Sequence, residues 1–186
     1  MAGSNLGGAN LAVANLTRAN LTDARLDGAN LSFANLWRAS ATHAHLAGAS
    51  LLGANLAAGT LARADLTNAI LSGANLTGTN LAGANLTGAN LTGANLTGAN
   101  LTGANLTGAV LVQANLSLAR LVDANLTAAT MNGAYLFGTD LARATLVGAA
   151  IAGADLSRAN LAGAKLGKVF WADTICPSGR TTNSGC

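Results

Sequence analysis

The sequence predicts an all-β chain wound as a quadrilateral parallel β-helix of about eight 20-residue coils, and three regularities predict it. Leu or a substitute occupies every fifth position from Leu6 to Leu166, 33 consecutive sites at which only Ala41, Met131 and Ile151 are not Leu. Ala stands two residues earlier in 29 of the 33 cases, the exceptions being Ser4, Gly59, Thr79 and Thr139, and Gly stands two residues later in 17 of the 33. Five suits neither standard period: steps of about 100° carry every fifth side chain around a helix, and an odd step flips it across a strand. A short extended side with a β-turn at each end resolves the conflict, because four such sides close one coil with every Leu and Ala inward. The residue before Leu and the two after it then point outward.

Each element follows from that unit. If the turn runs from Leu to the next Ala, its third residue needs positive φ in a type II turn, which favours Gly. Where Arg18, Asp23 or Phe33 stands instead, a corner of another type is expected. The only proline, Pro177, lies beyond the repeats, as expected where backbone amides are needed between coils. At about 4.8 Å per coil the rod is about 40 Å long. Outward Asn residues in register are expected to ladder from coil to coil. Ala41, stacked between Leu21 and Leu61, is expected to leave a void.

The organisation is one repeat domain, residues 1–168, followed by a cap and tail, residues 169–186. Phe170 and Trp171 are expected to plug the C-terminal end, since a solenoid needs its last coil covered. Cys176 and Cys186 flank PSGRTTNSG, a turn and short return that predicts a disulfide clasp. A bridge implies an oxidising, extracytoplasmic or secreted setting, and free thiols leave the compartment open to the cytoplasm. The opening MAGSNLGGAN has neither the basic segment nor the apolar core of a signal peptide. No apolar run reaches the roughly 18 residues of a membrane span.

The pattern A-(N/D)-L-(T/S)-G, seen without error in ANLTGANLTGANLTGANLTGANLTG (residues 84–108), resembles the pentapeptide-repeat family over about nine-tenths of the chain. The resemblance implies a right-handed, four-sided β-helix. The ending VFWADTICPSGRTTNSGC looks like the tail of many bacterial members.

With four units to a coil, each residue stacks on its equivalent four units on, so the outer surface is readable. Asp23, His43 and Arg63 fall in one column, and Arg25, His45 and Asp65 in the column two residues on. They read as charge ladders fixing register. A metal held by His43, His45 and a carboxylate is the competing chemistry, opposed by the flanking cations Arg25 and Arg63. Arg18, Phe33, Trp37 and Arg38 form a candidate interaction patch, with Arg158, Tyr135 and Phe137 as a counterpart near the other end. Between Thr67 and Ala119 there is no charged residue.

Catalysis is excluded on sequence grounds: there is no Glu, no nucleophile motif, no phosphate loop, no cofactor motif and no close carboxylate pair. The reading that remains is a rigid structural or protein-interaction module with an unidentified protein partner. Its first coil exposes an unpaired edge, which predicts a homodimer through the N-terminal end. The resemblance offers an alternative, protection of DNA gyrase and topoisomerase by a DNA-like rod, which needs a strongly acidic surface. The net charge is +3, and Asp23, Asp27, Asp65, Asp123, Asp140 and Asp155 are sparse. Ten scattered basic residues also argue against nucleic acid. A second alternative is ice or crystal-surface binding by a Thr/Asn lattice. The charge-free middle, where Thr67, Thr87, Thr107 and Thr127 form a column, suits it, and the lack of an unbroken Thr column along the whole length, interrupted at Ala12, Ser32, Leu52 and Val112 in one case, opposes it.

Overall fold

The structure is a computed structural model that describes residues 1–186. Each unit forms a parallel bridge to its equivalent four units on, from Asn5 with Arg25 to Asp155 with Ile175, so four units close a coil. No helix occurs.

In the inner coils, each amide of a unit with Asn or Asp before Leu has its own acceptor. The Leu amide donates to a carbonyl in the next coil, as from Leu96 to Asn115 at 2.7 Å, and the corner amide does likewise, as from Gly98 to Ser117 at 3.0 Å. The Ala amide closes the turn, Ala99 to Leu96 at 2.9 Å, and the Asn amide reaches the coil behind, Asn95 to Ala74 at 2.9 Å. That leaves the first turn residue. Its amide is taken by the Asn side chain: Asn95 Oδ1 accepts from the Thr97 amide at 3.0 Å and from the Thr97 hydroxyl at 2.7 Å. Asn and Asp therefore act mainly as local Asx turns. Asn–Asn contacts between coils occur only at Asn10–Asn30, Asn35–Asn55 and Asn80–Asn100, and Asn85, Asn105 and Asn125 donate instead to Thr67, Thr87 and Thr107 of the coil behind, which corrects the expected continuous Asn ladder. Where Ala150 replaces Asn, the Ala152 amide turns to Asn132 of the coil behind, at 3.0 Å.

The inward Leu and Ala columns form one apolar core. Two exceptions in the Ala column, Thr79 and Thr139, are fully buried and donate their hydroxyls to the Leu56 and Leu116 carbonyls at 2.9 and 2.8 Å. Thr174 repeats the contact on Ile151 at 2.9 Å. Val169, Trp171, Thr174 and Cys176 are all buried in phase with the repeat, so inward stacking runs on to Cys176. Trp171 occupies a Leu position. Phe170 does not plug the end, contrary to expectation: it lies in the outward column, bridged to Ala150, and is 62% exposed. The tail folds back as a two-stranded antiparallel ribbon, β1 (Thr174–Ile175) and β2 (Thr181–Thr182), closed by the Cys176–Cys186 disulfide.

The corners correct a third expectation. Of seventeen non-glycine residues at positive φ, all but Asp173 are repeat corners, among them Arg18 (57°), Asp23 (55°) and Phe33 (58°). A side chain in this region costs about 1–2 kcal/mol. Changing one corner would break its amide bond to the next coil, 2.7 Å from Phe33 to the Leu52 carbonyl, and shift the Leu beside it. Stacking outweighs propensity. At Gly53 the glycine has a second cause: the Phe33 ring lies across it, and an added Cβ would fall 2.6 Å from the ring.

Ala41 is buried beside a small cavity of about 10 Å³ lined by Leu21, Leu46, Leu61 and Gly59. Ala41→Leu is expected to stabilise the rod by about 1–3 kcal/mol, read as a higher melting temperature; a lower one would contradict the core assignment. Leu118, at φ 59°, is largely exposed. Leu118→Gly is expected to raise the unfolding free energy by about 0.5–1 kcal/mol, the left-handed cost less the added chain entropy of glycine, read as a higher denaturant midpoint at unchanged slope.

Candidate interaction surface

The side chains that carry chemistry gather on edges of the square. At one corner Arg38 lies with its guanidinium 4.4 Å from the Trp37 ring centroid, and Arg18, one coil back, lies 5.4 Å from the same ring. Trp37 is half-buried while both arginines are exposed. Five coils further on, the same two columns hold Phe137 and Arg158, 5.4 Å apart. Phe33 belongs to the preceding corner, over Gly53, so the candidate patch separates into an Arg18–Trp37–Arg38 cluster and a neighbouring ring.

Every cation–π contact in the structure therefore sits on one edge. Arg120 stands just beyond the same corner and Arg180 of the tail lines one open cleft with Asn160 of that column, which brings five of the eight arginines to or toward this edge. Asp140 is its one acid. The Asp140 carboxylate is occupied by the Ala142 amide at 3.2 Å and the Asn160 side chain at 2.9 Å. Tyr135 is exposed in the column next along.

The charge ladders stack in backbone register, Arg25 with His45 and His45 with Asp65. Side-chain pairing is narrower. His43 Nδ1 lies 3.4 Å from Asp23, Arg25 turns along its own coil to Asp27 at 3.8 Å, and Asp65 accepts from the Thr67 amide at 3.0 Å. Arg63 leans over the Gly83 corner. No group of three His, Cys or Asp lies close enough to hold a metal ion.

One ion pair escaped the sequence reading. Arg143 grips Asp123 with two hydrogen bonds of 2.7 Å each. Its signal was present, since opposite charges one coil apart in one column must stack. At the C-terminal end, an open cleft of about 550 Å³ separates the tail from Asn160 and Leu161, and Arg180 is the only ionisable side chain lining it.

With that geometry in view, comparison with known proteins places the chain. The sequence profile described as pentapeptide repeats matches eight copies between residues 1 and 170. The chain belongs to the pentapeptide-repeat family, and its rod is the family's right-handed quadrilateral β-helix. It is similar to HetL from the cyanobacterium Nostoc sp. strain PCC 7120, a pentapeptide repeat protein involved in heterocyst differentiation regulation. Identity to HetL is 32% over 97% of this chain and 88% of that one, with a TM-score of 0.51. Rfr23 from the cyanobacterium Cyanothece 51142 is 33% identical over 56% of this chain and 58% of that one, TM-score 0.31. QnrB1, a plasmid-mediated fluoroquinolone resistance protein, is 18% identical over 89% of this chain and 91% of that one, TM-score 0.39. A comparison with curated proteins finds no match.

The hydrogen bonds from Arg143 hold the Asp123 carboxyl below its ordinary range. A depressed folded value contributes stability that is present above the unfolded value and is lost as pH falls through the folded one. NMR titration is expected to find Asp123 low in the wild type and in the ordinary carboxylate range after Arg143→Ala; equal values would refute the pairing.

Proposed function

We propose that the protein is a non-enzymatic docking rod that binds an acidic patch on a protein partner through the edge carrying Arg18, Trp37, Arg38, Arg120, Phe137, Arg158 and Arg180. The observation that carries this reading is the placement of all three cation–π contacts on one edge and of five of eight arginines on or toward it. A ring beneath a guanidinium limits its rotamers and leaves its N–H groups turned toward an incoming carboxylate, so less entropy is lost on binding. The rod supplies spacing, with the two aromatic clusters five coils or about 24 Å apart. HetL, a relative 32% identical over most of both chains, is involved in heterocyst differentiation regulation, a role of the kind that a docking rod serves.

The alternatives have less support. A DNA-like gyrase ligand needs free acids in a track, whereas Asp23, Asp27 and Asp123 are matched to His43, Arg25 and Arg143. An ice lattice needs free hydroxyls, whereas Thr87 and Thr107 already donate to Asn85 and Asn105 at 2.7 Å. The Cys176–Cys186 bridge supports residence in an oxidising compartment.

Affinity capture with the wild type is expected to retain a partner that is lost, by tenfold or more, with Trp37→Ala plus Arg38→Ala. Unchanged retention by that folded double variant would remove the edge as the docking site.

A further inference from the structure

The last coil is only half covered. Throughout the rod the Leu and corner amides of each unit donate to the coil ahead, and two sides of the final coil still do so: Ile151 and Gly153 donate to Phe170 and Ala172, and Leu156 and Arg158 to Ile175 and Pro177. The tail then leaves the register. The Gly179 amide turns back to the Cys176 carbonyl at 2.8 Å, and the Arg180 carbonyl, which stands in step with the Leu161 amide, accepts from the Cys176 amide at 2.8 Å instead. The Ala159 carbonyl and the Leu161 amide, on residues that line the C-terminal cleft, and the Gly163 amide just beyond them have no partner; nor have the Leu166 and Lys168 amides on the next side. An unpaired strand edge is a template for another strand. Charge gathers at the same end. Residues 1–157 carry six Arg and six Asp and are neutral, whereas residues 158–186 carry Arg158, Lys165, Lys168 and Arg180 against Asp173 alone. The net charge of +3 therefore belongs to the last coil and the tail.

We propose that this open edge is a strand-addition site for an extended, acidic segment of a partner protein, distinct from the Trp37–Arg38 cluster. In the parallel register of the coils, one residue of the segment donates its amide to the Ala159 carbonyl and accepts from the Leu161 amide, and the carbonyl two residues on accepts from the Gly163 amide. Backbone pairing of this kind supplies affinity and tolerates many sequences, and the surrounding charge selects among them. Here that charge is basic, so acidic side chains are favoured along the segment. The cleft, about 550 Å³, leaves room for it beside the tail. The two occupants nearest to hand do not fit. A complete coil of a second copy cannot seat on this end, because residues 170–177 already fill two of the four sides. The chain's own residues 180–182 are in step with 160–162, but pairing of β2 with β1 and the Cys176–Cys186 bridge hold them in the ribbon.

The test uses the full chain and two end-blocked peptides, Asp-Val-Asp-Thr-Val-Asp and its counterpart with Lys at each Asp. The acidic peptide at saturation is expected to slow hydrogen exchange of the Leu161 and Gly163 amides at least tenfold, read by NMR, and the lysine peptide to leave both unchanged. Lys165→Glu plus Arg180→Glu, both at exposed side chains, is expected to weaken binding of the acidic peptide at least tenfold at unchanged melting temperature. Trp37→Ala plus Arg38→Ala is expected to leave that binding intact, so this site and the docking edge stand or fall separately. The proposal is overturned if the acidic peptide does not bind, if it binds without protecting these two amides, or if binding is indifferent to the charge reversal. Slow exchange at Leu161 and Gly163 before any peptide is added also overturns it, because the chain's own tail or a second copy would then already occupy the edge.

Discussion

The hydrogen bond from each Leu amide to the carbonyl just before the stacked Leu of the next coil, 2.6 to 2.8 Å through most of the rod, is the constraint from which the rest follows. It can form only if four units close one coil, which fixes four sides and four corners. Closure sends Leu and Ala inward and leaves the amide after each Leu without a backbone acceptor. The side chain before Leu supplies that acceptor wherever it is Asn or Asp, which has the length to do so. The word Ala-Asn-Leu-Thr-Gly thus answers one stacking problem. Two letters fill the core, one completes the hydrogen bonding, one is held by it, and one turns the corner.

Because stacking dominates, local preference yields wherever the two disagree. This explains which parts of the fold were legible in the sequence. The Leu and Ala columns were, since burial repeats with the phase. Corner type at Arg18, Asp23 and Phe33 was misread because propensity was weighed one residue at a time, whereas the neighbouring coils set the φ of all corners together. Phe170 was misread for a related reason: an aromatic ring suggests a plug, but residue 170 lies in an outward column and Trp171 in an inward one. Phase decides burial before chemistry does. Thr79 and Thr139 looked like lapses in the Ala column and are instead small side chains whose one polar atom finds a Leu carbonyl within reach.

The surface was legible to a lesser depth. Columns could be written from the repeat alone, so the company kept by Trp37, Arg18 and Arg38 was foreseeable. What side chains do within a column was not. Asp65 takes a local amide rather than the His45 above which it stacks, and Arg25 turns sideways to Asp27. These are choices among rotamers separated by less than about 1 kcal/mol, which spacing does not encode. The bidentate Asp123–Arg143 pair, by contrast, is what the column rule requires when nothing nearer competes.

A core that varies so little places specificity outside it. Every coil presents the same backbone at the same spacing, so recognition depends on which outward letters depart from Asn, Thr and Gly, and on where. Those departures are segregated: arginine with aromatic rings on one edge, matched charges around another, and Val13, Phe33, Leu52 and Ile70 exposed along a side that carries no charge from residue 8 to residue 153 of its columns. Segregation on a stiff scaffold has an energetic consequence. Groups held at fixed distances along a rod lose little further freedom on binding, so modest exposed contacts can sum to useful affinity without a pocket. The same stiffness makes a misplaced partner costly, because a rod that cannot bend matches an extended surface over all of its contacts in one register or over few of them in any other.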